Sequence, residues 1–152
     1  MPLALMLVVL MSSSTPTRAE PVLPPCPSSP NCVSSLATES HRIEPLPAGK
    51  DAKASFARLK SILVNRKDTT ILSADDSQIR VEFRTMLGFV DDGLFVLDPR
   101  NGLIQMRSAA RVGYWDLGKN RQRLEEIRNE FTIGSSATGT GLLQVNFFTV
   151  CS

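Results

Sequence analysis

Hydrophobic positions change their spacing twice along this chain. Between Asp51 and about Arg66, the apolar residues Ala52, Phe56, Leu59 and Leu63 recur at helical intervals. Lys53, Arg58, Lys60 and Arg66 fall mostly on other faces, and Asp51, after Gly49, suits an N-cap. The pattern predicts an amphipathic helix that must cover a sheet or another helix. From Thr69 the interval becomes two. Thr69 to Ala74 reads as a short strand with Asp75-Asp-Ser77 as its turn, and Ile79, Val81, Phe83 and Thr85 then alternate with Arg80, Glu82 and Arg84. Met86 to Gly88 is the next break, Phe89 to Asp98 a third strand, and Asp98-Pro-Arg-Asn-Gly102 a strong turn. A last strand, Leu103 to Val112, sets Ile104, Met106, Ala110 and Val112 on one face and Gln105, Arg107, Ala109 and Arg111 on the other.

Helical spacing returns near Asp116, a second suitable N-cap. Leu117, Leu124, Ile127 and Phe131 mark one stripe that ends at Phe131. The turns between strands are too short for crossovers, so the sheet is antiparallel. The predicted architecture is α+β: a two-layer sandwich of helix, four-stranded antiparallel sheet and helix, with both helices on the apolar face. One point stays open within it. Asp91-Asp92-Gly93 carries a local hairpin signal, whereas in a continuous strand the two aspartates point to opposite faces, and one can face Arg107 or Arg111 across the sheet.

The flanks read differently. Leu3 to Met11 is a nine-residue apolar run, too short to span a bilayer, followed by a polar segment ending Thr17-Arg18-Ala19. Residues 1–19 are therefore expected to be an export signal, although no basic residue precedes the run. The alternative is a disordered or plastid-type leader leading to a thylakoid lumen. Residues 20–49 hold seven of the ten prolines and no sustained period, which predicts a loop-like arm along a sheet edge before the 50–131 domain. After Phe131 the chain becomes Gly/Ser/Thr-rich, so residues 132–152, with Cys151, are expected to pack loosely. Gly139-Thr-Gly141 lacks the third glycine and the helix of a dinucleotide fingerprint, and no cofactor is expected.

Cysteine use fits an exported protein that is periplasmic or extracellular. Cys26-Pro-Ser-Ser-Pro30-Asn-Cys32 puts two thiols around a proline-stiffened turn, where an oxidising compartment would close a disulfide worth roughly 2 kcal/mol. A zinc site from Cys26, Cys32 and His41 lacks a fourth ligand, and no metal is expected. Net charge is +2, or +1 once Arg18 leaves with the leader, and the lysines form no basic tract, so nucleic acid is not an expected partner. Nor is a stable membrane span expected once the signal is removed.

Candidate chemistry concentrates at the junction from Arg107 to Arg123, where seventeen residues hold four arginines, two glycines, two aspartate/asparagine side chains and the entry to the last helix. Guanidinium forks and helix N-termini both favour anions. Arg107, Arg111, Asp116, Asn120 and Arg121, with Asp92, are thus the candidate anion site, and Arg80 and Arg84 extend the arginines along one sheet face. The competing reading is structural: the arginines pair with Glu82, Asp91, Asp92 and Asp116 to stitch strand to helix. An enzyme is the alternative, a small hydrolase using Asp91, Asp92 and Asp116, but no nucleophile–base pair, metal-ligand spacing or phosphate loop supports it.

Three motifs in order, Cys26-Pro-Ser-Ser-Pro-Asn-Cys-Val-Ser-Ser35, Phe89-Val-Asp-Asp92 and the Arg107 to Arg123 stretch, make the chain resemble domain-of-unknown-function family 1499 from Cys26 to Phe131. The resemblance implies bacterial export or plastid location and no assigned activity. The chain departs from the expected pattern at Ala110, at Trp115 and at Gly93-Leu94, where a Val-Glu pair is expected; that last change removes a carboxylate and favours a continuous strand at Asp91. The expectation is an exported structural or binding module whose partner is a small anionic ligand or an envelope protein.

Overall fold

The computed structural model describes residues 22–137; the expected leader, Cys151 and the chain beyond Ala137 lie outside them. In chain order come β1 (Cys32–Ser34), a 3-10 turn (Glu39–His41), β2 (Leu46–Pro47), α1 (Ala52–Asn65), β3 (Thr69–Ala74), β4 (Gln78–Arg84), β5 (Val90–Asp98), β6 (Leu103–Ala110) and α2 (Lys119–Ala137). The strands form one six-stranded sheet in the order β1-β6-β5-β4-β3, with β2 also on β6, and every strand pair is antiparallel.

The α+β class and the four central strands are as expected; the strand count and the simple layering are not. Two further strands come from the proline-rich arm, which was expected to be loop. They are three and two residues long, so they carry no periodicity to read. They form because β6 leaves an edge of unpaired backbone groups, and the arm covers it with β1 at one end and β2 at the other. The arm also folds over the sheet face opposite the helices: Leu23, Cys32, Ser34, Val96 and Ala109 are all buried, and the register sets the last four on that face.

One hydrophobic core joins Phe56, Leu59 and Leu63 of α1 and Leu124, Ile127 and Phe131 of α2 to Ile79, Val81, Phe83, Phe95, Leu97, Ile104 and Met106 of the sheet. Asp51 caps α1 as expected, its Oδ1 accepting from the Ala54 N–H at 2.9 Å. The second helix departs from expectation at both ends. It starts at Lys119 rather than beside Asp116, because Leu117 (φ 55°) and Gly118 (φ 76°) both adopt left-handed backbone. Leu117 consequently points into solvent and is not part of the stripe. The helix also continues past Phe131 to Ala137, through Gly134, where a loose tail was expected. Val112, expected on the buried face of β6, lies beyond the end of that strand and is exposed.

The Asp91-Asp92-Gly93 question resolves as continuous strand, and the hairpin turn falls instead at Thr85–Phe89. Packing explains why the local turn signal loses. Gly93 faces the core, and a Cβ built there would stand 2.3 Å from Phe83 Cε2 and 2.5 Å from Val81 Cγ2. The ring of Phe83 occupies the space that a side chain at 93 would need.

Two expectations follow. Gly93→Val should lower the unfolding free energy by about 3 kcal/mol through overpacking, well beyond the strand preference of valine, which is worth ~1 kcal/mol at most; a falling urea midpoint with unchanged slope would show it. The second concerns acid. Burial works to raise the Asp68 carboxyl, but the hydrogen bond and charge of Arg66 outweigh it and hold Asp68 below its ordinary 3.8. Hydrogen bonds from the Asn101 side chain, then its backbone, lower Asp98 likewise. Folded values below the unfolded one mean that this stability is complete above pH 3.8 and is lost as pH falls through the folded values. Asp68→Asn/Asp98→Asn should therefore show a flatter acid limb in Tm against pH.

Candidate functional site

Register alone determines how the arginines are shared out. Arg80, Leu94, Arg107 and Ser34 form one cross-strand row on the face opposite the helices. The next row holds Glu82, Asp92, Ala109 and Cys32. Arg84 and Val90 begin a third, and Arg111 reaches it through its N–H, which donates to Val90 O at 3.2 Å. The expected line of Arg80, Arg84, Arg107 and Arg111 on one face is thus present, with two acids between its halves.

Arg111 is fully engaged. Its Nη2 lies 2.7 Å from Asp92 Oδ1 and 2.5 Å from Glu82 Oε1, and its Nε donates to both Asp92 oxygens at 3.1 Å. The side-chain bonds to Asp92, then to Glu82, raise its pKa further above the ordinary guanidinium value. Arg107 is different. It is half-buried, its Nε is enclosed without a hydrogen-bond partner, and its one described contact is a long bond of 3.4 Å from Nη2 to Pro25 O. Burial lowers its pKa, partly opposed by the charge of Asp92. Leu94 stands between Arg107 and Arg80, at the position where the resemblance leads one to expect a glutamate.

The sheet separates the remaining candidates from these. Asn120 is fully buried on the helix side, where its Oδ1 accepts from Ser108 Oγ and from Arg123 Nη1 and its Nδ2 donates to Asn31 O at 3.0 Å. Asp116 Oδ2 accepts at 2.8 Å from both the backbone N–H and the Nδ2 of Asn120, while its Oδ1 takes the Gly118 N–H at 3.0 Å. Asp116 therefore still stitches the helix entry, three residues before the helix proper. Arg121 reaches the arm, donating to Ser40 O at 2.6 Å and Arg42 O at 2.8 Å. Arg128, two turns on, binds the Glu44 and Pro45 carbonyls. The six candidates thus divide into Arg107, Arg111 and Asp92 on one face, and Asp116, Asn120 and Arg121 on the helix side.

Sequence reasoning missed the buried centre of the junction. Arg123 is 6% exposed and Asp91 3%, and Arg123 Nη2 stands 2.9 Å from Asp91 Oδ2, an ionic contact without hydrogen-bond alignment. The guanidinium also lies 4.6 Å over the Phe83 ring. A helical projection could have flagged it, since Arg123 adjoins Leu124 and falls one turn from Ile127. Asn31, too, was passed over. Within the Cys26–Cys32 disulfide loop its carbonyl also accepts from the Ala110 N–H, and its Nδ2 donates to Gly113 O.

His41 and the two described cysteines have structural partners. The His41 Nδ1–H donates to Cys32 O at 2.8 Å, as a carbonyl can only accept. The disulfide removes both thiols from the zinc alternative. Asp91, Asp92 and Asp116, on which the hydrolase alternative rests, are all held by the contacts above, on different sides of the sheet.

Breaking a buried ion pair from one side leaves a charge without its partner. Asp91→Asn should cost about 3–5 kcal/mol, whereas Asp91→Leu/Arg123→Met should come close to wild type. Chemical denaturation of the two variants tests this, and equal losses would contradict it.

No curated protein and no solved structure matches the chain. The three motifs that carried the resemblance all lie within residues 22–131, which match the family model described as "Protein of unknown function (DUF1499)". The chain belongs to that family.

Proposed function

We propose that this protein is an exported binding module, in the periplasm or outside the cell, that takes a small carboxylate or phosphate ligand beside Arg107, with the Arg111 to Arg123 junction serving as a structural clamp. The carrying observation is the guanidinium of Arg107, half-buried with an enclosed Nε that meets no acceptor. A buried donor left unmet costs about 1–3 kcal/mol, and the Nη edge of the same fork, which reaches only Pro25 O, is the side that a planar anion can approach. Arg80 supports the reading. It lies in the same row and has no ion pair among the described residues.

Space is available alongside. A cleft of about 330 Å³ opens within the arm, lined in part by Pro25, Cys26, Ser34 and His41. Pro25 O is the atom that Arg107 reaches, and Ser34 is its partner across the strands. Export is supported by the apolar run near the N-terminus and by the disulfide, which persists in oxidising compartments.

The experiment is a thermal-shift screen with phosphate, malonate and citrate. A ligand at ten times its Kd stabilises by about 1.4 kcal/mol, which raises Tm by roughly 5 °C for a domain of this size. Arg107→Gln should abolish the rise, as should Leu94→Glu, which supplies an internal carboxylate. Arg111→Gln should keep it. A flat response of the wild type to every anion overturns the proposal.

A further inference from the structure

The surroundings of Arg107 narrow the chemistry of the anion proposed there. The cleft within the arm, about 330 Å³, takes apolar walls from Leu23, Pro24, Leu36 and Ala37. Leu23 is buried, whereas Leu36 is 55% exposed. No described residue that lines the cleft carries a carboxylate, an ammonium or a guanidinium. Its polar groups are few, and most are engaged. The Cys26 sulfur is held in the disulfide, Ser34 Oγ accepts from the Leu36 N–H at 3.3 Å, and the His41 ring donates to Cys32 O.

Two residues tie this cleft to the guanidinium. Pro25 lines it, and Pro25 O is the atom that Arg107 Nη2 reaches at 3.4 Å. Ser34 lines it too, and it stands opposite Arg107 across the strands. Arg107 itself is not part of the wall. A charge met by its Nη edge therefore stays at the margin, with an uncharged and mostly apolar space beside it.

That arrangement disfavours a compact polyanion. Phosphate or citrate entering the cleft would give up hydration to proline and leucine without a counterion. A single carboxylate attached to hydrocarbon suits both surfaces. Its planar head matches the fork, and each methylene removed from water strengthens binding. Size sets the upper limit. At the ~30 Å³ that one water occupies in the liquid, the cleft holds about ten non-hydrogen atoms.

We infer that the ligand at Arg107 is a monocarboxylate with a short apolar body, linear or aromatic. The carboxylate meets the Nη edge of the fork, and the body lies in the arm cleft against Leu23, Pro24 and Leu36. The inference rests on the reading of Arg107 as a ligand site, and it adds what the rest of the ligand is made of.

A chain-length series tests it. Propanoate, hexanoate, decanoate and dodecanoate, with hexan-1-ol as the uncharged control, are titrated into the full-length protein, and affinities are read from NMR amide shifts. From propanoate to hexanoate each methylene should strengthen binding about two- to fourfold, the upper figure being full burial. Dodecanoate should bind no tighter than decanoate, because the cleft is then filled. Hexan-1-ol should bind roughly tenfold or more weakly than hexanoate, and Arg107→Gln should weaken hexanoate by as much. Leu36→Ser should weaken hexanoate about fivefold and leave propanoate unchanged. Equal affinity for propanoate and hexanoate, still lost in Arg107→Gln, overturns this inference alone and leaves Arg107 a site for bare anions. No binding of any carboxylate overturns the reading of Arg107 as well. Affinity that climbs through dodecanoate and ignores Arg107→Gln marks general apolar adhesion, and it overturns the inference too.

Discussion

A buried arginine–carboxylate contact holds the two halves of this fold in register. Arg123 lies between α2 and β5, and it meets Asp91 at 2.9 Å, Asn120 through Nη1 and the face of Phe83. Charges this far from water are tolerated only when each has its counterpart in place. That requirement positions more than the pair. It fixes the rotation of α2 about its axis, so Leu124, Ile127 and Phe131 face the core while Arg121 and Arg128 turn toward the arm. It also makes Gly93 intelligible. The Phe83 ring can lie under the guanidinium because the neighbouring strand offers no Cβ at that point.

The same logic sorts the arginines by role. Those of the junction end on named acceptors: Arg111 on two acids, Arg121 on two carbonyls, Arg123 on Asp91. Arg107 meets only Pro25 O, by one long bond, and its Nε has no acceptor. Its neighbour in the cross-strand row is Leu94, an apolar side chain that offers none. The structural reading therefore accounts for Arg111, Arg121 and Arg123, and the binding reading proposed above concerns Arg107.

Most of the central architecture was legible in the chain. Alternation over Ile79, Val81 and Phe83 and the helical stripes of Phe56–Leu63 and Leu124–Phe131 are strong periodic signals, since each element buries one face. Pairing order followed from short turns. What could not be read had no period. Cys32–Ser34 and Leu46–Pro47 are too short to alternate, and they become strands because a distant edge needs partners. The start of α2 was misjudged because an aspartate N-cap signal does not reveal the left-handed backbone at Leu117. Of the candidate site, the face shared by Arg80, Arg84, Arg107 and Arg111 was readable from strand parity. The Arg123–Asp91 contact was not, because it depends on how the helix crosses the sheet.

The route of the arm has a consequence for the order of assembly. β3 to β6 form a meander of neighbours, each strand finding its partner after a few residues of turn. Ser34, by contrast, pairs with Arg107, so the arm leaves the ribosome well before the edge it will occupy exists. The cysteine loop, six residues apart in sequence, needs no other part of the fold to close, whereas the strand beside it must wait until β6 has been made. Long-range closure of this kind is slow relative to local pairing, so the first segment of the domain to be synthesised is among the last to dock.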